Sequence, residues 1–125
     1  MIFNRHNKKK DEDIIYILRA KEYQNTIDIY FENLHHLLYH EIILNVLKED
    51  LKCEVLSYVD KITDIGSTIR WNGIEFDFPH DYMFGNYFIA TPEHADALEQ
   101  LANQAADIIN EKISTFKKGK KTHRT

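Results

Sequence analysis

The chain has 125 residues, of which 43% are apolar, and its formal net charge is −4. This length suits one domain with a single hydrophobic core, and the apolar content excludes intrinsic disorder for most of the chain. The charge is unevenly placed: residues 1–10 carry +4, residues 11–111 carry −14 and residues 112–125 carry +6. We therefore predict one acidic domain over residues 11–116 between two flexible basic tails, residues 1–10 and 117–125.

The charge distribution also limits the partners that the chain can take. An acidic body repels nucleic acid and anionic membranes and attracts basic proteins. The single cysteine, Cys53, allows no intrachain disulfide and suits a reducing compartment. Residues 1–13 show no secretory signal, and there is no unbroken apolar run of about 18 residues to span a membrane. We expect a cytoplasmic protein with no nucleic-acid or membrane partner, and the sequence leaves its oligomeric state open.

Two helices are predicted before the first strand. The apolar run that follows Asp11 predicts a helix over residues 11–23, although a strand would fit the same run. Apolar residues then recur at helical spacing from Ile27 to Leu47. They predict a second helix over residues 26–50, capped by Asn25 or Thr26.

After Lys52 the apolar residues alternate with polar ones, which is typical of strands. The dipeptide Asn72-Gly73 predicts a two-residue hairpin turn, because both central positions of a type I′ turn need a positive φ. That turn would pair Trp71 with Ile74, Arg70 with Glu75 and Ile69 with Phe76. The whole region predicts a four-stranded antiparallel meander.

The segment Thr91-Pro92-Glu93 predicts a helix start, with a capping hydroxyl and a proline in the first turn. An apolar stripe continues from Ala95 to Phe116. The predicted fold class is therefore α+β: two N-terminal helices, a four-stranded antiparallel β-meander and a long C-terminal helix, in a two-layer single domain.

Three residues of the second predicted helix suggest a metal site. Glu32, His36 and His40 are spaced by four, so they would share one helix face, and imidazole and carboxylate groups both bind zinc. No second half of a two-metal motif is present, and exposed histidines on a helix explain the spacing equally well. We predict no metal site, and a metal-dependent protein remains an alternative.

No pattern in the chain predicts catalysis. Cys53, Ser57 and Ser67 lie outside any nucleophile motif, and the four glycines are too far apart for a phosphate-binding loop. Asp77 and Asp81 could act as a pair of carboxylates in acid–base catalysis, but such pairs are expected by chance in so acidic a chain. The expectation is a protein that is not an enzyme and has no cofactor.

The remaining candidate is the acidic surface of the meander, where tyrosines lie beside carboxylates. Rings supply buried area and carboxylates attract a basic partner, as an interface requires. The predicted partner-binding residues are Asp60, Asp64, Glu75, Asp77, Asp81 and Tyr82. The function predicted from them is that of an immunity protein or inhibitor that masks a basic toxin, such as a nuclease. A secretion-type chaperone that holds a segment of a partner protein is the alternative.

Overall fold

A computed structural model describes the backbone of residues 3–10, 12–20, 25–60 and 65–123, and the side chains of residues 8–10, 12–19, 25–60 and 65–115. The elements in these ranges are β1 (Phe3–Asn7), β2 (Tyr16–Ala20), β3 (Ile27–Glu32), α1 (Leu38–Asn45), β4 (Glu54–Asp60), β5 (Ile65–Trp71), β6 (Ile74–Asp81), β7 (Gly85–Ala90) and α2 (Ala95–His123).

The described strands form one seven-stranded sheet in the order β1-β2-β3-β7-β6-β5-β4. Every neighbouring pair is antiparallel. β3 lies beside β7, where Ile27 is opposite Ala90 and Ile29 is opposite Phe88. The first three strands therefore extend the meander of the last four.

Both helices pack on one face of this sheet, which we call the inner face. Successive side chains of a strand point to opposite faces of the sheet, so every second side chain of each strand lies on the inner face. Its largest fully buried side chains include Ile29, Phe31, Phe76, Phe78 and Phe88. α2 covers them with a stripe of buried residues, namely Ala95, Leu98, Leu101, Ala102, Ala105 and Ile109. The small alanines let the helix backbone approach the sheet closely.

α1 does not end at Asn45 but continues as a π-helical turn, Val46–Asp50. The N–H of Leu51 donates to the carbonyl of Val46 at 3.1 Å, and the N–H of Cys53 donates to the carbonyl of Leu47 at 2.8 Å. The wider turn places both Val46 and Leu47 in the core, where they are 3% and 0% exposed. Neither helix of the described chain is both long and apolar enough to cross a membrane.

The prediction of two N-terminal helices and a four-stranded meander is wrong, although the α+β class fits. Residues 16–20 and 27–32 are strands, and helix begins only at Leu38. Residues 14–18 are a continuous apolar run, whose periodicity does not distinguish strand from helix. Apolar residues from Ile27 to Leu47 fit helical spacing, although residues 27–32 also alternate as a strand does. In β3 the alternation of Ile27, Ile29 and Phe31 with polar residues fits the pleat once β7 lies alongside. Asn33, at φ 71°, ends the strand.

The predicted hairpin is confirmed. β5 and β6 pair Trp71 with Ile74, Arg70 with Glu75 and Ile69 with Phe76. Asn72 and Gly73 have φ values of 52° and 79°, as a type I′ turn requires.

The C-terminal helix starts where it was predicted to start, but its cap differs. A 3₁₀ turn over Pro92–His94 precedes α2, and Thr91 makes no side-chain cap hydrogen bond. Its hydroxyl donates instead to Glu93 Oε1 at 3.3 Å. β1 lies within residues 3–7 and α2 continues to His123, and the flexibility of the two basic ends stays a prediction.

Gly73→Val should lower the free energy of unfolding by about 1 to 3 kcal/mol, because a β-branched residue is strained at positive φ. A Cβ at Gly73 would meet no atom within 4 Å, so the loss reports backbone strain alone. Chemical denaturation measures it. The matched control is Gly66→Val, where the added Cβ is equally free of contacts and the φ is not positive. Equal midpoints for the wild type and Gly73→Val would contradict the prediction.

Candidate functional site

The face of the sheet opposite the helices, which we call the outer face, is strongly acidic. Strand registers place six carboxylates and one arginine, Arg70, on this face of β2 to β7. The carboxylates are Asp28, Glu32, Glu54, Glu75, Asp77 and Asp81. Like charges gathered on one face raise the local potential far more than scattered ones do.

A pair of tyrosines lies in the middle of these carboxylates. Tyr30 and Tyr87 are opposite each other on β3 and β7, with ring centroids 4.9 Å apart. The Tyr30 hydroxyl donates to Asp28 Oδ2 at 3.1 Å, and Phe84 lies 6.3 Å from the Tyr30 ring. Burial and the charge of Asp28 raise the pKa of Tyr30, and the charge of Asp81 adds to the effect. The two carboxylates therefore lie on either side of the tyrosine pair.

Partial burial also changes the Asp28 carboxyl group, whose pKa it raises. A carboxylate in such a place gains more from a cation than an exposed one does, because water screens the attraction less. Aromatic rings attract the same cations through their negatively polarised faces. We call Asp28, Tyr30, Tyr87 and Asp81 the cation patch. Tyr30 is only 4% exposed, so a lysine or arginine side chain would contact Asp28, Asp81 and the Tyr87 ring, while Tyr30 supports them from below.

The other end of the outer face is partly neutralised. Arg70 Nη1 is 3.2 Å from Glu54 Oε1, and its Nη2 is 3.2 Å from Glu75 Oε2. Thr68 donates its hydroxyl to Asp77 Oδ1 at 3.3 Å. The other outer-face carboxylates of the described chain therefore lie on β3 and β6, the two strands that flank β7.

Three of the predicted partner-binding residues, Glu75, Asp77 and Asp81, share the outer face. Asp60 is opposite Ile65 and so lies on the inner-face side at the end of β4. Tyr82 is in the turn between β6 and β7 and is 85% exposed. Asp64 is outside the described residues.

Sequence reasoning missed Asp28, Tyr30 and Glu32 because it placed them in a helix. The signal that would have found them is the alternation in IDIYFE, which puts these three residues on the face opposite Ile27, Ile29 and Phe31.

A second polar cluster lies under α1 and is buried. His40, Ser67, His80 and Asn86 are all at most 6% exposed. Asn86 Nδ2 donates to the carbonyls of Leu34 at 2.7 Å and His36 at 3.2 Å. Its Oδ1 therefore faces the two histidines and accepts from both, at 3.2 Å from His40 Nδ1 and 3.0 Å from His80 Nδ1. The tautomers are assigned from this network, with a proton on each Nδ1.

This assignment leaves His40 Nε2 as an acceptor for the Ser67 hydroxyl, 2.9 Å away. Serine, histidine and asparagine thus stand in the order of nucleophile, base and orienting group. However, Ser67 is 3% exposed and the His40 ring is stacked on Phe78 at 4.5 Å, so this conformation offers a substrate no route to the hydroxyl. What the cluster does here is to fasten α1 to β5, β6 and β7.

The predicted metal and thiol candidates are not brought together. Glu32 is on β3, His36 precedes α1 and His40 is buried in the cluster, so the spacing by four does not produce a shared helix face. Among the described side chains, no three of His, Cys, Asp and Glu are grouped to hold a metal ion. Burial raises the pKa of Cys53 to about 11, which keeps the thiol protonated and unreactive at neutral pH.

Exposed apolar side chains collect at one end of the sheet. We call Leu38, Ile42, Tyr58, Tyr82, Met83 and Phe84 the apolar end; each is at least 45% exposed. The rings of His40 and Tyr58 are 6.3 Å apart, so α1 adjoins β4. A Cβ on Gly85 would be 2.9 Å from the Cα of His35, so the β6–β7 turn adjoins the segment before α1. The apolar end therefore joins α1, β4 and this turn.

Comparison of the chain with protein-family models, with curated proteins and with solved structures gives no match.

Acidification should destabilise the fold through His40. Burial lowers the pKa of His40 from its ordinary 6.5 to about 4, and the nearby His80 adds to the lowering. Between about pH 6.5 and pH 4, His40 is therefore protonated in the unfolded chain but neutral in the folded chain. The contribution of neutral His40 to the free energy of unfolding is complete above about pH 6.5 and is lost as the pH falls towards 4. The expected loss is about 3 kcal/mol.

The measurement is urea denaturation at about pH 7 and about pH 4.5 of the wild type, His40→Gln and the control His36→Gln. His40→Gln should be less stable at neutral pH and should change less on acidification, whereas His36, which is exposed, should behave like the wild type. Equal losses in the wild type and His40→Gln would assign the acid sensitivity to other groups.

Proposed function

We propose that the protein is a non-enzymatic binding protein that masks a basic protein partner with the outer face of its sheet. The observation that carries the proposal is the charge of this face, with six carboxylates and one arginine on β2 to β7. Neither described helix covers it, since both pack on the inner face. A partner can therefore approach the whole surface.

The geometry supports two steps of binding. The acidic face first attracts a basic surface over a distance, which raises the association rate at low ionic strength. A lysine or arginine of the partner then enters the cation patch between Asp28 and Asp81, against the partly exposed Tyr87 ring. Contact slows dissociation, because the ring attracts the cation through its negatively polarised face and the carboxylates accept charge-assisted hydrogen bonds from it.

On this face the structure places Arg70 and, at the β2 edge, Lys8, whose Nζ lies 5.9 Å from the centre of the Tyr16 ring. Two other lysines pair with carboxylates on the helical side. Lys9 Nζ is 2.7 Å from Asp107 Oδ2, and Lys112 Nζ is 3.3 Å from Asp50 Oδ2. Asp107 and Asp50 belong to α2 and to the π-helical turn, on the helical side of the sheet. These pairs leave the outer-face charge available to a partner.

The specific role that we propose is that of an immunity protein that neutralises a toxin. A nuclease toxin contacts phosphates through lysines and arginines, so an acidic face that covers them blocks its substrate. The proposal rests on charge and on the bare face, and no residue role is transferred from another protein.

A second candidate, a secretion-type chaperone, is favoured by the exposed side chains of the apolar end. Such a chaperone holds apolar segments whatever their charge and is usually a dimer. Light scattering that gives the mass of one chain, together with binding lost at high salt, would contradict it.

Neutralising the cation-patch end of the outer face should slow association with a basic partner on the order of tenfold at low ionic strength. The variant is Asp28→Asn, Asp77→Asn and Asp81→Asn. Each asparagine keeps the acceptor oxygen that Tyr30, Thr68 or the turn N–H groups use. Association rates with the partner recovered from the native host, measured at low and high salt, test the expectation.

The matched control changes the net charge equally on the helical side, with Glu93→Gln, Asp96→Asn and Glu111→Gln, all exposed. It should associate like the wild type. The proposal fails if the recovered partner is acidic, or if both triple variants associate equally fast.

A further inference from the structure

The apolar end is a large exposed surface for a small protein. Leu38 is 71% exposed, Tyr82 85% and Met83 74%, while Ile42, Tyr58 and Phe84 lie between 45% and 47%. Exposed apolar side chains on neighbouring segments, as here on α1, β4 and the β6–β7 turn, mark interaction sites in soluble proteins. Asp81 holds part of this surface in place, since its Oδ1 accepts the N–H groups of Met83 at 2.7 Å and Phe84 at 3.2 Å.

Only negative charges border the apolar end in the described chain. Partial burial raises the pKa of Tyr58, and the nearby charges of Asp60 and Glu41 raise it further. Asp81 lies at the base of the turn. Segments 33–42, 57–60 and 80–87, which form the surface, contain these three carboxylates and no lysine or arginine. A complementary partner would present apolar side chains flanked by cations.

This charge pattern decides between occupants. If a second copy of the chain bound through the same surface, its Glu41, Asp60 and Asp81 would face the same three carboxylates of the first copy. Like charges at an interface disfavour such a contact. An anionic membrane surface is disfavoured for the same reason. A partner with basic side chains around an apolar strip meets neither objection.

The shape of the surface suits a helix. Leu38 and Ile42 are one turn apart on α1 and form a ridge. Tyr58 lies beside His40 of α1, and the β6–β7 turn that carries Tyr82 and Met83 adjoins the segment before α1 at His35. A helix that lays its apolar side chains along such a ridge can place lysines towards the bordering carboxylates.

We infer that the apolar end is a docking site for a cationic amphipathic helix of the partner protein. This inference rests on the proposed function and names the part of the basic partner that binds beside the outer face. Its apolar residues contact Leu38, Ile42, Tyr58 and Met83, and its cations pair with the carboxylates around them.

Three synthetic peptides of about 18 residues test the site, long enough for helix formation. One is a leucine–lysine amphipathic helix, one is a lysine–glycine peptide of equal charge without apolar side chains, and one is a leucine–glutamate helix. Fluorescence anisotropy measures their binding to the full chain. The leucine–lysine helix should bind most tightly, and the leucine–glutamate helix should not bind.

The test variant is Leu38→Ser, Ile42→Ser and Met83→Ser, whose side chains are exposed and whose loss leaves the core intact. The matched control is Ile14→Ser, an exposed apolar residue outside the apolar end. The triple variant should bind the leucine–lysine helix about tenfold more weakly, as loss of anchoring side chains does. It should bind the lysine–glycine peptide as the wild type does, and Ile14→Ser should change neither value.

The inference is overturned if the triple variant keeps full affinity for the leucine–lysine helix, or if the leucine–glutamate helix binds equally well. Self-association of the wild type that the triple variant abolishes would identify a second copy as the occupant and would also overturn it. Failure of the proposed function gives a different result. In that case the lysine–glycine peptide does not bind, or its binding is unaffected by the asparagine variant of Asp28, Asp77 and Asp81.

Discussion

The pairing of β3 with β7 is the contact on which the rest of this structure depends. It joins residues far apart in the chain, such as Ile27 and Ala90, and thereby makes one sheet of the N-terminal strands and the meander. A single sheet has two faces, and both helices cover the same one. The helical face becomes the core, and the other face is left to the acidic side chains. The same pairing brings Tyr30 opposite Tyr87 and so creates the cation patch.

The buried cluster around Asn86 performs a second task, because it fixes a short helix to the sheet. α1 has only eight residues, a length at which isolated helices are unstable in water. Asn86 binds the carbonyls of Leu34 and His36 just before the helix, and its Oδ1 accepts from His40 within it. Every polar group that this places in the core has a partner, as burial demands. Asn86 is the second residue of β7, directly after the β6–β7 turn, so the cluster also positions the apolar end.

The two proposed surfaces differ in the physical work that they do. The outer face acts mainly through summed charge, which is effective at a distance and sensitive to salt. The apolar end acts on contact, because its side chains gain only when water is removed. The two adjoin at the β6–β7 turn, where Asp81 belongs to the cation patch and also holds Met83 and Phe84. A basic partner with an apolar strip could bind both surfaces at once. The apolar end would then distinguish such a partner from a polycation that has no apolar side chains.

The sequence by itself determined the features that depend on neighbouring residues. Asn72-Gly73 specified the hairpin and its register, because few residues other than glycine and asparagine accept a positive φ. Pro92 specified the start of the last helix, and the acidity of residues 11–111 is a property of composition. Glu75 and Asp77 were placed on one face because the hairpin fixed their alternation, whereas Asp81 was expected beyond the strand and is instead its last residue. Only the tertiary structure decided that residues 16–20 are a strand, since their apolar run fits a helix or a strand and the choice came from partners across the sheet. Residues 27–32 alternate as a strand does, but apolar residues from Ile27 to Leu47 also fit helical spacing, and pairing with β7 decided between the two. The burial of His40 with Ser67 and Asn86 was beyond any local pattern, because it depends on strands that are distant in sequence.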